Sequence, residues 1–286
     1  MTPTTHDQDH SMAYSAGKTA VITGAGSGIG RALAQQLNRE GCALFLSDIN
    51  AQSLQATVDA FERPEISTQQ TVLDVADKAA VYAWASEVED RTGHVDIVIN
   101  NAGVALLELV EDCNYDNIEW LMGINYWGVV YGTQAFLPLL RRSEQGHLVN
   151  ISSIFGVIAV PTQSAYNSAK FAVRGYTEAL RQEMAGTNVH VCCVHPGGIR
   201  TNIAKAARGG DPAQSADERG KQFEQMARTT PESAAQQIIR AVEKRKQRLL
   251  IGKDAKLIDI IQRLFPVSYP RFMLALARPE NLGKTP

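Results

Sequence analysis

Short apolar runs rich in β-branched residues alternate with longer amphipathic stretches from Lys18 onward, and that alternation leaves few folds open. The runs are Thr19–Thr23, Ala43–Ser47, Thr68–Leu73, Val95–Asn100, His147–Ser152, Val189–Val194 and Leu249–Ile251. Strands that are mostly apolar are buried on both faces, which calls for a parallel sheet with helices above and below it. The right-handed crossover rule then predicts an α/β fold: a doubly wound, parallel seven-stranded sheet with helices on both faces. No Pro/Gly/Ser linker interrupts the pattern before Thr201, so residues 16–252 read as one domain.

The flanks read differently. Residues 1–15 are polar and predict a flexible leader, in which His6 and His10 are too scattered to form a metal tract. Residues 253–286 predict a C-terminal helical extension packing on the domain or on a neighbouring subunit. Within it Leu257–Phe265 is an amphipathic helix candidate, and Phe272-Met273-Leu274 adds apolar surface. Arg208-Gly209-Gly210-Asp211-Pro212 predicts a turn in a mobile segment, and Pro231-Glu232 the start of a helix. Lys244-Arg245-Lys246 with Arg248 reads as a solvated cluster at a helix end.

Charge and cysteine content exclude several classes. With 28 basic and 30 acidic residues the chain carries a formal net charge of −2, which argues against a nucleic-acid partner. Cys42, Cys113, Cys192 and Cys193 form no CxxC pair or zinc spacing, so neither a disulfide framework nor a metal is expected, and a reducing cytoplasmic setting fits. No apolar run is long enough for a transmembrane segment; for the C-terminal extension a lid over the substrate pocket and, after it, contact with a membrane surface are the lesser alternatives to packing.

The chemistry begins where the first strand runs into Gly24-Ala25-Gly26-Ser27-Gly28-Ile29-Gly30 and then into Arg31–Leu37, a helix-forming stretch. Glycines there allow a tight turn, let a pyrophosphate approach the backbone and aim a helix N-terminus at it, the device of a Rossmann-type dinucleotide site. Gly17-Lys18-Thr19 resembles the end of a P-loop, but the strand follows it instead of preceding it, so nucleoside triphosphate hydrolysis is excluded. Asp48, eighteen residues past Gly30, stands close to the offset expected of a ribose-binding acid. It would accept bonds from the ribose diol and repel a 2′-phosphate, so NAD is expected over NADP.

Tyr166 and Lys170 lie four apart in a stretch of helical composition, Thr162–Met184, and so share a helix face. A tyrosine with a pKa of about 10 is a poor acid or base near neutrality. A cation about 4 Å away, at an effective dielectric of about 20, would favour phenolate by roughly three pKa units, part of which burial takes back.

These motifs, in this order, resemble the short-chain dehydrogenase/reductase family over approximately Lys18 to Ile251. The matching stretches are Thr23–Gly30, Asp74 in Leu73-Asp74-Val75, Asn100-Asn101-Ala102-Gly103, Asn125 in Ile124–Gly128, Ser153, Tyr166 with Lys170, and Pro196-Gly197 with Thr201. The family spacing between serine and tyrosine selects Ser153 over its neighbour Ser152. The resemblance implies that Tyr166 is the general acid/base, that Ser153 orients the substrate oxygen, and that Lys170 lowers the phenol pKa and binds the nicotinamide ribose. It implies that Asn125 holds a water joining Lys170 to solvent. The cofactor-binding set it implies is Gly24, Gly26, Ser27, Gly28, Ile29, Gly30, Asp48, Asp74, Val75, Asn101, Ala102, Gly103, Tyr166, Lys170, Pro196, Gly197, Ile199 and Thr201.

The resemblance also implies a pocket at Val104, Ala105, Ile154, Phe155, Val160 and Pro161. All six are apolar, so the expected activity is NAD-dependent interconversion of a lipophilic secondary alcohol and its ketone. The alternatives are an NADP-dependent carbonyl reductase on the same scaffold and a nucleotide-sensing module without turnover. A hydrolase lacks its G-x-S-x-G elbow. The family commonly pairs the helices spanning about Tyr115–Leu140 and Ser164–Met184, so a homo-dimer or homo-tetramer is expected. His195, at a strand end before Pro196, reads as a structural histidine.

Overall fold

The computed structural model describes residues 13–211 and 213–272. The elements run β1 (Thr19–Thr23), α1 (Gly28–Arg39), β2 (Ala43–Asp48), α2 (Ala51–Asp59), β3 (Thr68–Val72), α3 (Lys78–Thr92), β4 (Ile97–Asn100), β5 (Leu106–Leu107) and α4 (Tyr115–Met122). A π turn (Gly123–Trp127) joins α4 to α5 (Gly128–Arg142), followed by β6 (Gly146–Ile151) and a 3₁₀ turn (Ile154–Gly156). The rest is α6 (Ser164–Glu183), β7 (Val189–Pro196), β8 (Arg208–Gly209), α7 (Ala216–Met226), α8 (Pro231–Glu243), β9 (Arg248–Ile251) and α9 (Lys253–Leu264).

Seven strands pair in parallel in the order β3-β2-β1-β4-β6-β7-β9. The order reverses between β1 and β4, which places a ligand crevice at the carboxyl ends of those strands. Alternate residues of each strand serve opposite cores. Ile22, Leu46, Ile99 and Val149 meet Leu33 and Leu37 of α1 and Ile238 and Val242 of α8. Val21, Val98, Leu148 and Val191 meet Trp84 of α3, Phe136 and Leu140 of α5 and Leu180 of α6.

The seven expected strands form, with ends shifted by one or two residues: β4 begins at Ile97, and β7 continues through His195 to Pro196. Pro231 opens α8 at its first turn. Three features differ from expectation. Tyr14 and Ser15, assigned to the leader, are anchored: the Tyr14 hydroxyl lies 2.7 Å from Nε2 of His147, and buried Ser15 bonds to Glu40. Residues 1–12, with His6 and His10, lie outside the described residues, as do Pro212, Met273 and Leu274. Arg208-Gly209 is not only a turn; it forms β8, paired in parallel with β5, because Gly209 and Gly210 take φ of +68° and +99° and let the chain leave that short pairing abruptly. Arg248 does not join a solvated cluster: it makes a two-pronged ion pair with Asp259 of α9 at 2.6 and 3.0 Å, with the acid side chain 8% exposed. Arg248 opens β9, whereas Lys244, Arg245 and Lys246 lie in the turn between α8 and that strand.

Candidate active site

The glycine-rich segment forms the turn from β1 into α1. Gly24 has φ +66°, a conformation that side chains rarely adopt, and a Cβ on Gly30 would collide with the Gly24 carbonyl. Ser27 is the N-cap of α1 but makes no side-chain cap bond, which leaves the first-turn amides facing the crevice. Asp48 ends β2 with Oδ2 accepting from the Gly26 amide at 2.8 Å and Oδ1 from Asn50 at 2.9 Å. The cap of α2 is Asn50, so Asp48 stands free of that duty beside the glycine turn. Asp74 is exposed, with its Oδ1 accepting from Ala76, and the cap of α3 is Asp77; Val75 is buried against Gly128.

On the other side of the crevice, Asn101 donates through Nδ2 to the carbonyls of Thr23 and Gly24, while the Thr23 hydroxyl accepts from the amides of Asn101 and Ala102. Thr23 thus ties the β1 and β4 ends together, a role its sequence position hints at only as the residue before Gly24. Gly103 faces both Asn125 and Lys170: a Cβ there would stand 3.3 Å from Asn125 Oδ1 and 3.4 Å from Lys170 Nζ. Thr201 lies over Gly28. The side chain of Ile199 is buried in the core beside α1 and α8, so only its backbone borders the crevice, and Pro196 and Gly197 sit at the end of β7.

Ser153, Tyr166, Lys170 and Asn125 are all buried. Ser153 opens the 3₁₀ turn, with its Oγ accepting from the Phe155 amide at 3.1 Å. Ser152, beside it, donates its hydroxyl to the Lys170 carbonyl at 2.8 Å, so of the two serines only Ser153 turns to the phenol. Lys170 donates to the Ile151 carbonyl at 3.1 Å, and its Nζ lies 5.7 Å from the centre of the Tyr166 ring. Asn125 sits in the π turn, a distortion often found at functional sites, and both ends of its amide bond to Val104: Oδ1 accepts from the Val104 amide at 2.8 Å and Nδ2 donates to the Val104 carbonyl at 2.9 Å.

Burial dominates the electrostatics of this group. The Tyr166 phenol is raised above its ordinary value, chiefly by burial, with the Ser153 hydrogen bond pulling the other way. Burial among apolar side chains disfavours the charged phenolate. The same burial lowers the Lys170 ammonium to about 8.

The wall is an apolar cluster in which Tyr166 meets Ala105, Leu106, Ala169 and Ala207, with Val104, Phe155 and Ile203 packed against it. The Phe155 ring meets the phenol edge-on at 6.3 Å. The structure does not bring Ile154, Val160 and Pro161 to this wall. Ile154 packs with Val157 and Ala255 under α9. Val160 and Pro161 line a separate groove of about 420 Å³ with Val110, Ser164, Ser168 and Phe171, on the side of α6 turned away from Tyr166. Ile203 and Ala207, which complete the wall, come from a loop with no periodic signal in the sequence.

A buried polar layer lies beneath. Asn100 donates to Asn150 at 2.8 Å and to Thr133 at 3.1 Å, and Asn150 donates to Thr177 at 3.1 Å, clamping α5 and α6 to β4 and β6.

A doubly wound sheet whose glycine-rich crevice leads to a buried Ser/Tyr/Lys group defines a Rossmann-type scaffold with a dinucleotide-shaped opening. A family model described as short chain dehydrogenase matches residues 18–211. The chain belongs to the short-chain dehydrogenase/reductase family. It is 46% identical over 261 residues to SadH of Mycobacterium tuberculosis, which carries the name of a candidate oxidoreductase, covering 91% of this chain and 95% of that protein. It is 34% identical to dehydrogenase/reductase SDR family member 7B of Xenopus tropicalis, covering 95% of this chain and 89% of that one. A short-chain dehydrogenase/reductase from Burkholderia phymatum, crystallised in complex with NAD, superposes with a TM-score of 0.79 at 29% identity, covering 87% of this chain and 94% of that chain.

Proposed function

We propose that this chain is an NAD-dependent oxidoreductase that interconverts a lipophilic secondary alcohol and its ketone. The observation that carries the reading is the burial of Ser153, Tyr166 and Lys170 together at an apolar wall beside the glycine-rich crevice. The crevice fits the dinucleotide: glycines clear the space a pyrophosphate needs at the α1 N-terminus, and the Asp48 carboxylate stands where a ribose diol would bond. The NAD complex of the Burkholderia phymatum relative supports the choice of cofactor.

Bound NAD would supply the hydride acceptor and a positive charge that favours phenolate. Tyr166, as phenolate, takes the hydroxyl proton of the alcohol, and as phenol it returns a proton in ketone reduction. Ser153 donates to the substrate oxygen and fixes its distance from the phenol. Lys170, lowered to about 8, can exchange a proton near neutrality and face a ribose across Gly103. Both ends of the Asn125 amide are bonded to Val104, so a water leading from Lys170 to solvent would be held by the Asn125 backbone. Val104, Ala105, Phe155, Ile203 and Ala207 exclude water and receive the apolar body of the substrate.

Exposed aromatic surface at Tyr115, Trp127 and Phe171 on α4 to α6 supports a homo-oligomer, and buried free thiols suit a reducing cytoplasm. Among the described residues no helix is long and apolar enough to cross a membrane. The test is a panel of apolar and charged alcohols assayed at 340 nm with NAD and with NADP. Turnover of apolar alcohols with NAD supports the reading, and turnover of only small charged hydroxy acids overturns the substrate class.

A further inference from the structure

Helix α9 lies beyond the stretch matched by the family model, yet its first turn grips a loop that borders the crevice. Oδ2 of Asp254 accepts a hydrogen bond from the Gly198 amide at 2.8 Å. The preceding amide, Gly197, donates to the Ile251 carbonyl at 2.9 Å, so two successive amides tie this loop to the corner between β9 and α9. The carboxylate occupies space that glycines leave: a Cβ on either Gly197 or Gly252 would collide with it. Asp254 does not cap its own helix, whose N-cap position is Gly252 without a side-chain bond. Four residues from Gly197 the same loop carries Thr201, which lies over Gly28 of the glycine-rich turn. The loop therefore spans from the α9 corner to the α1 N-terminus. Behind it, Ala255 packs on Ile154 and Val157, next to the turn that Ser153 opens.

We propose that Asp254 is a positioning residue: through Gly198 it sets the distance between the Pro196–Thr201 loop and the glycine-rich turn, and so tunes dinucleotide affinity without touching the cofactor. The inference rests on the reading of the crevice as a nicotinamide dinucleotide site. Asp254 is exposed, so its removal disturbs the fold little, whereas the loop it holds loses its one side-chain tether to α9.

The test measures NADH dissociation constants by fluorescence titration, and melting temperatures, for the wild type, Asp254→Ala and Asp254→Asn. The alanine variant should bind NADH about tenfold more weakly, the loss expected of one charge-assisted hydrogen bond. The asparagine variant keeps an acceptor oxygen and should stay within about threefold. Both should melt within about 3 °C of the wild type. An alanine variant that binds NADH as the wild type does, an asparagine variant as weak as alanine, or a loss of affinity that only accompanies a large drop in melting temperature each overturns the positioning role. A wild-type protein that binds neither NADH nor NADPH overturns the reading of the crevice itself, a separate outcome seen before any variant is made.

Discussion

Nδ1 of His195 donates a hydrogen bond to the carbonyl oxygen of Ser153 at 3.0 Å, from a side chain with no exposed surface. The histidine on β7 thus holds the backbone of the serine whose hydroxyl faces Tyr166. Burial lowers its pKa to about 4, which keeps the ring neutral and the Nδ1 proton on the donor side. Its Nε2 is buried without a partner. Replacing His195 with Phe should lower kcat about tenfold through a displaced Ser153, whereas Asn, which keeps a donor, should cost less; steady-state kinetics of both variants checks this.

Acid sensitivity follows from the same burial. His147, crowded by His190, Lys18 and Arg245, is also held at about 4. Both groups titrate lower in the folded chain than in the unfolded one, so the unfolded state binds more protons as pH falls from about 6.5 towards 4. Stability is therefore present above about pH 6.5 and is lost on acidification, with each histidine contributing up to about 3 kcal/mol by pH 4. Urea denaturation at pH 7 and pH 5 should show the decline, and His147→Gln should flatten it. Equal midpoints at both pH values would contradict the assignment.

Tyr166→Phe removes the proton carrier and leaves the crevice intact. Turnover should fall by about 10² to 10⁴, with NADH affinity unchanged in a fluorescence titration. Because burial raises the phenol, alcohol oxidation by the wild type should climb as pH rises from 7 towards 10, and ketone reduction should not. A flat oxidation profile over that range would count against Tyr166 as the base.

Asp48→Ala should shift cofactor choice. Removing the carboxylate weakens NAD through the lost ribose bonds and relieves the repulsion of a 2′-phosphate, so the ratio of kcat/KM for NAD over NADP should drop by tenfold or more, on the order of one charge-assisted bond. An unchanged ratio assigns discrimination to another residue.

Asp259→Ala strands the guanidinium of Arg248, whose side chain is 20% exposed. Breaking such a pair costs about 3 kcal/mol, and the double replacement Arg248→Met with Asp259→Leu should recover most of it. Denaturant midpoints of the single and double variants decide between a pair that holds α9 down and one that is incidental.

Much of this was legible from local pattern. Ala20 to Thr23 followed by four glycines at alternate positions states its turn chemistry within a dozen residues, and the seven strands follow from apolar runs of the right length. Tyr166 and Lys170 share a face by helical period alone. Ile203 and Ala207 gave no such signal, because they reach the phenol from a loop whose path depends on the β5 and β8 pairing. Ile154 and Val160 were apolar and near Ser153 and Tyr166 in sequence, but the 3₁₀ turn rotates the first towards α9, and the second lies on the outer side of α6.

What the chain order by itself determined was the doubly wound sheet, the crevice at the reversal of strand order, and the identity of the chemical groups at its rim. These depend on periodicity, handedness and glycine geometry, which act over a few residues at a time. Tertiary structure alone decided the protonation balance at Tyr166, the partners of His195 and Asp254, and the seating of α9. Those depend on burial and on hydrogen bonds between residues far apart in sequence, such as His195 with Ser153 and Gly198 with Asp254, and no local pattern encodes such meetings.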